Sequence, residues 1–216
     1  MNNKLFLPKG FTLIELMIAM AVGLVLLAAV YSVFLVQNKE LRNQEQITEM
    51  QQNARMAMEM MSRDLMMAGY GPSTLTRCTG TTPTTKPASS PYSCLGIVVA
   101  NINFVSLSAD LNGNGVLTDA GENLTYDRYE SPTGSGNYAL GRTSNGTKNP
   151  VVDNVSALTF TYYKADGTVT DDLSLIRNIK ISITTRTANV DPSTGNYREF
   201  TLTSTVTPRN LMLSGF

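Results

Sequence analysis

Glu15 is the only charged residue between Phe11 and Val36, a run of 26 residues that is otherwise apolar or uncharged. An ionised carboxylate within a membrane span costs on the order of 2.5–3.5 kcal/mol on insertion scales, which makes such a residue a functional candidate. It needs either a cationic partner or a path for its side chain to the near headgroups. Cys78 and Cys94 offer covalent chemistry and flank a segment rich in Thr, Ser and Pro. A disulfide closing this loop would stabilise by ~3 kcal/mol in the chain-entropy model. The alternatives are two free thiols or half of a metal site. With no histidine and no third cysteine in the chain, a zinc site would have carboxylates alone to complete it.

Asp110, Asn112, Asn114 and Gly115, followed by Val116 and Thr118, resemble the first nine positions of an EF-hand-type or dockerin-type calcium loop. Oxygen ligands fall at alternate residues, Val116 would supply a backbone carbonyl, and Thr118 stands ninth. Position twelve is Gly121, with carboxylates beside it at Asp119 and Glu122. The loop reads either as a calcium site of about 10⁻⁴ to 10⁻³ M affinity or as a polar Asn-Gly hairpin that needs no metal. No cofactor is required on either reading. The absence of histidine removes the commonest general base, and no nucleophile elbow or phosphate loop is present, so the chain does not read as an enzyme or as a binder of small-molecule substrates. Seven methionines between Met50 and Met67 have thioethers that favour copper(I), but no cysteine or histidine joins them, and they read as adaptable core residues. Arg177, Lys180, Arg186, Arg198 and Arg209 raise the question of DNA capture. Asp171, Asp172, Asp191 and Glu199 lie among them, so a solvated mixed surface is expected and no nucleic-acid partner.

The elements that position these residues follow from periodicity. Phe11 to Val36 would rise ~39 Å as a helix, enough to cross a ~30 Å hydrocarbon core with tilt. Its length and the poor small-x-small site at Val36-Gln37-Asn38 argue against a cleaved secretory signal. Lys4 and Lys9 in front of it place the N-terminus in the cytoplasm and everything after Val36 across the membrane, a compartment that permits the disulfide. Without those two lysines 15 basic residues face 17 acidic ones, a formal charge of −2, and no surplus for a polyanion. From Gln37 an apolar stripe at Leu41, Ile47, Met50, Ala54, Ala57, Met58, Met61, Leu65 and Ala68 keeps a helical period, and Gly69 with Gly71-Pro72 ends it. Strands are expected over Gly96–Ser108, Leu124–Tyr129, Tyr138–Arg142, Ala157–Tyr163, Ile176–Thr185 and Tyr197–Val206, separated by turns such as Asp166-Gly167 and Asp191–Gly195. The fold class is α+β: a long N-terminal helix laid on the dry face of an antiparallel sheet. The expected parts are residues 1–10 as leader, 11–36 as transmembrane and assembly helix, 37–69 as amphipathic helix, 70–94 as disulfide-closed loop and 95–216 as β-sheet domain.

Gly10-Phe11-Thr12-Leu13-Ile14-Glu15-Leu16 resembles the processing motif of type IV prepilins. The resemblance implies a pilin-like fold, cleavage after Gly10 by a prepilin peptidase, and N-methylation of Phe11. The new α-amine of Phe11 would be the cation that Glu15 lacks, met across a subunit boundary during assembly. Further on, Asp110–Gly115 with Leu124-Thr125-Tyr126, then Val152 to Phe160, then Thr207-Pro208-Arg209-Asn210, resemble the PilW-type minor pilins, which are similar to the J-type pseudopilins of type II secretion. This implies a low-abundance subunit that primes assembly or forms part of a pilus tip. Its partners would be other minor pilins, the major pilin, the peptidase and the inner-membrane assembly platform. The alternatives are a pseudopilin of a secretion machine and a ligand-binding tip subunit, an adhesin or DNA receptor. The tip-most pseudopilin lacks the glutamate, so Glu15 implies that another subunit packs above this one.

Overall fold

The computed structural model describes residues 10–82, 93–131, 136–192 and 194–212. The leader up to Lys9, the stretch 83–92 of the disulfide loop, and Ser193 of the Asp191–Gly195 turn lie outside these. Two compact units divide the chain, Met1–Glu45 and Gln46–Phe216. Helix α1, Leu13–Met67, contributes to both. No proline or glycine occurs between Leu24 and Ala68, and alanine, leucine, methionine, glutamate and glutamine dominate, so helix propensity is strong throughout. The helix stops where Gly69 takes a left-handed φ of 80° and donates its N–H to Ser108 O at 2.9 Å. That left-handed conformation favours glycine, and a Cβ there would also push the flexible end of Arg77 aside.

In the second unit, α1 buries Met50, Ala54, Ala57, Met58, Met61 and Leu65, the three-and-four spacing of one helical face. Five strands, β1 Gly96–Ala100, β2 Phe104–Ser108, β3 Asn123–Glu130, β4 Tyr138–Ser144 and β5 Thr147–Val152, form one antiparallel meander in that order. Three more, β6 Val155–Tyr163, β7 Asn178–Arg186 and β8 Glu199–Val206, form a second sheet. A 3-10 turn at Leu173–Leu175 precedes β7, and a short helix α2, Arg209–Met212, follows β8. The two sheets meet where the β1–β2 turn touches β6: Phe160 N–H donates to Ile102 O at 2.8 Å and the Tyr162 hydroxyl to Asn101 O at 2.9 Å. The core joins Met61 and Leu65 of α1 to Ile97, Leu107, Tyr126 and Leu140 of one sheet and to Phe160, Ile179, Ile181 and Ile183 of the other.

The architecture is the expected α+β arrangement, with four differences. The single expected sheet is two. The expected strand Gly96–Ser108 is a hairpin, because Asn101 Oδ1 accepts the N–H of Asn103 and turns the chain. Strand β5 was not expected: Thr147–Val152 carries Lys148 and Pro150 in place of alternating apolar residues. It is an edge strand, where proline and charge are tolerated and discourage further pairing. The amphipathic stripe is also shorter than the sequence pattern, since Leu41 is 56% exposed.

Candidate assembly site

From Phe11 to Val36 every side chain is exposed; only the position of Gly23 is half-covered. This part of α1 is long and apolar enough to cross a membrane. Within it the Ser32 hydroxyl donates to Ala29 O at 2.8 Å. At its start Thr12 and Glu15 form a capping box. The Thr12 N–H donates to Glu15 Oε2 at 2.8 Å, the Thr12 hydroxyl to the same oxygen at 3.0 Å, and the Glu15 N–H to Thr12 Oγ1 at 3.3 Å. Reading Glu15 as a carboxylate in search of an amine missed this partner. The signal was present, because Thr-x-x-Glu ahead of an apolar run is itself a helix-start signature.

The second unit holds its stretch of α1 by polar contacts that periodicity could not reveal. The Tyr126 hydroxyl donates to Asp64 Oδ2 at 2.6 Å and Arg142 Nε to the same oxygen at 2.8 Å. Burial, reinforced by the Asp64 carboxylate, pushes the Tyr126 phenol well above its usual range. From β7, the Thr185 hydroxyl donates to Met50 O at 3.0 Å. Asp64 lies one residue before Leu65 of the buried stripe, and a charge beside an apolar stripe carries no mark of what it will meet.

Cys78 and Cys94 are joined as a disulfide. Backbone bonds beside it, from Cys78 N–H to Leu95 O and from Leu95 N–H to Thr76 O, both 2.9 Å, pin the two ends of the loop together. The Asp110 loop is closed by its own hydrogen bonds. Asp110, fully buried, accepts from Gly113 and Gly115 N–H, and Asp119 accepts from the side-chain amides of Asn112 and Asn114. Glu122 accepts the N–H groups of Leu111, Asn112 and Asp119. Asn112 Oδ1 and Asn114 Oδ1 accept the N–H groups of Asn114 and Val116. The carbonyl of Thr118 accepts from the Asn145 amide. Among the described residues no group of three or more Asp, Glu, Cys or His is placed to hold a metal ion. In this arrangement the side-chain oxygens of the loop accept N–H groups from within the loop itself. The methionines spread around α1: Met50, Met58 and Met61 are buried, whereas Met56, Met66 and Met67 are exposed.

Three of the basic residues considered for DNA, Arg177, Arg186 and Arg198, have partners within the chain. Arg198 makes two bonds to Asp191 Oδ2, at 2.8 and 2.6 Å. Arg186 donates to Gly136 O and Asn137 Oδ1 and lies over the Tyr197 ring. Arg177 donates to the carbonyls of Ser174 and Ile176.

A bare apolar helix capped at its first turn, continuing into a helix packed on antiparallel sheets, defines an α+β protein anchored by its N-terminus. Residues 8–31 match the prokaryotic N-terminal methylation motif. The chain is also similar to the pilin-like protein PilA3 of Thermus thermophilus, 38% identical over 63 residues that make up 29% of this chain and 27% of that relative. The matched stretch thus spans about a quarter of the curated relative. No solved structure matches the chain. The chain thus carries a prokaryotic N-terminal methylation motif at the start of its apolar helix, and over 63 residues it resembles a pilin-like protein.

Proposed function

We propose that this chain is a minor type IV pilus subunit of the PilW type. It is cut after Gly10, methylated on Phe11, and held in the inner membrane with its sheets in the periplasm until it enters a filament. There it primes assembly or forms part of the tip, together with other minor pilins and the major pilin. The observation that carries this reading is the side-chain exposure of Phe11–Val36 with Glu15 as its single charge. An apolar surface of this length is stable only in lipid or against other apolar helices. Entry into a filament exchanges the first for the second.

Glu15 supplies the register. Cleavage places a new amine at Phe11, next to the Thr12 N–H that Glu15 already accepts. The carboxylate therefore faces the terminus from the start. A neighbour's amine at the same depth completes a charge-assisted pair only when the helices are aligned. Two measurements test this. Intact mass in the native host is expected to show peptidase-dependent loss of Met1 to Gly10 plus one methyl; an uncut chain would overturn the proposal. Glu15→Leu is expected to lower incorporation into filaments about tenfold, the equivalent of ~1.4 kcal/mol. Wild-type incorporation would remove Glu15 from the account.

A further inference from the structure

We infer that the second unit carries a binding site for a peptide chain end, a terminal carboxylate whose last residue has an apolar side chain. The site is a cavity of about 220 Å³ between the disulfide loop, the 3-10 turn and α2. Leu95, Ile97, Leu173 and Leu211 supply apolar wall, and Arg77 and Arg177 stand beside them. Both guanidinium groups belong to half-buried residues, and both are held by neutral acceptors. Arg77 Nη1 donates to Gly69 O. Arg177 Nη1 donates to Ser174 O at 2.8 Å and Ile176 O at 2.9 Å. Among the described residues neither arginine forms an ion pair. The carboxylate nearest in sequence, Asp172, is taken up by the N–H and hydroxyl of Ser174.

A guanidinium has five N–H donors in a fork that matches a carboxylate. Main-chain carbonyls occupy one nitrogen of each arginine here, fixing its orientation and leaving donors for an anion. Two half-buried positive charges that meet no counter-ion among the described residues are stabilised by any anion that enters. The cavity is smaller than the roughly 300–1,000 Å³ of sites for cofactors and other small molecules. It has room for about one residue. A chain end joins its carboxylate and its last side chain on the same Cα, so one residue meets both the arginines and the leucine wall. An aspartate or glutamate side chain has nothing apolar beyond its carboxylate, and inorganic phosphate would leave the wall wet.

The test uses the full chain in detergent micelles with labelled leucine and isoleucine methyl groups, followed by NMR. The probes are N-acetyl-leucine, its uncharged amide, and N-acetyl-aspartic α-amide, which carries only a side-chain acid. N-acetyl-leucine is expected to shift the methyls of Ile97, Leu173 and Leu211 with a Kd of about millimolar, the range for so small a ligand. Both other probes are expected to bind at least about tenfold more weakly, as are Arg77→Gln and Arg177→Gln variants toward N-acetyl-leucine. Equal binding of acid and amide, or no saturable shift with the acid, would overturn the site. Tighter binding of the side-chain acid would overturn the chain-end assignment. The probe comparison on the unaltered chain decides the matter even if an arginine variant folds poorly.

Discussion

Two stretches of α1 share one secondary structure and have opposite surroundings. From Leu13 to Val36 the helix is apolar on every side and no side chain is buried. From Met50 to Leu65 one apolar face is buried, and the rest of the helix is mostly polar, with Met56 exposed. The first stretch contains more apolar residues, yet the second forms the core. Burial follows the pattern of apolar residues around the helix, because a sheet can cover one stripe and no more. Apolar residues on all faces instead require an apolar surrounding on all faces. The polar contacts follow the same division. The first stretch has one capping box at its end, whereas the second is fastened by Asp64 and by the Met50 carbonyl.

The largest effect should come from testing that contrast directly. Leu65→Ala is expected to destabilise the second unit by about 3 kcal/mol, within the range for a buried leucine. Leu27→Ala should leave its denaturant midpoint within about 0.5 kcal/mol. Equal effects would break the division. Reduction of the Cys78–Cys94 disulfide should cost up to ~3 kcal/mol and loosen residues 70–92 while the sheets keep their circular-dichroism signal. Equal loss of the sheet signal would show that the loop holds the sheets together. Asp64→Ala should cost about 2 kcal/mol, since it leaves the Tyr126 hydroxyl and Arg142 without their shared acceptor. Asp64→Asn, which keeps an acceptor, should cost less. Equal losses would assign the role to charge alone.

The smallest effect is alkaline. Burial raises both Tyr126 and Tyr162 above the ordinary tyrosine range. In the unfolded chain they ionise near pH ~10, while in the folded chain they stay protonated. The unfolded state therefore binds fewer protons above that pH, and stability falls as pH rises. The loss is about 1.4 kcal/mol per tyrosine at pH ~11. Absorbance near the phenolate band should show at least two of the nine tyrosines unionised until the protein unfolds. Tyr126→Phe should reduce the alkaline slope, and an unchanged slope would assign it to other groups.

Much of the fold was legible before the structure. The three-and-four spacing from Met50 to Leu65 announced the buried face of α1, and alternation at Ile179, Ile181 and Ile183 announced the central strand β7. The hairpin at Asn101–Asn103 and the edge strand β5 were not legible, because one depends on a single Asx turn and the other lacks alternation. The Asp64, Tyr126 and Arg142 cluster was also hidden, since its members are separated by 62 and 16 residues. The Asp110 loop shows the converse. Its spacing was legible, whereas the burial of Asp110 and its bonds from Gly113 and Gly115 N–H were not.

Sequence alone determined the apolar N-terminal run, the extent of the long helix and the alternation of strands such as β7, because each depends on neighbours within a few positions. Tertiary structure decided that the strands form two sheets, that Asp64 meets Tyr126 and Arg142, and that Arg77 and Arg177 come to one cavity. Those contacts join residues distant in the chain. Which of them form depends on how all the buried faces close at once, and no local pattern records that.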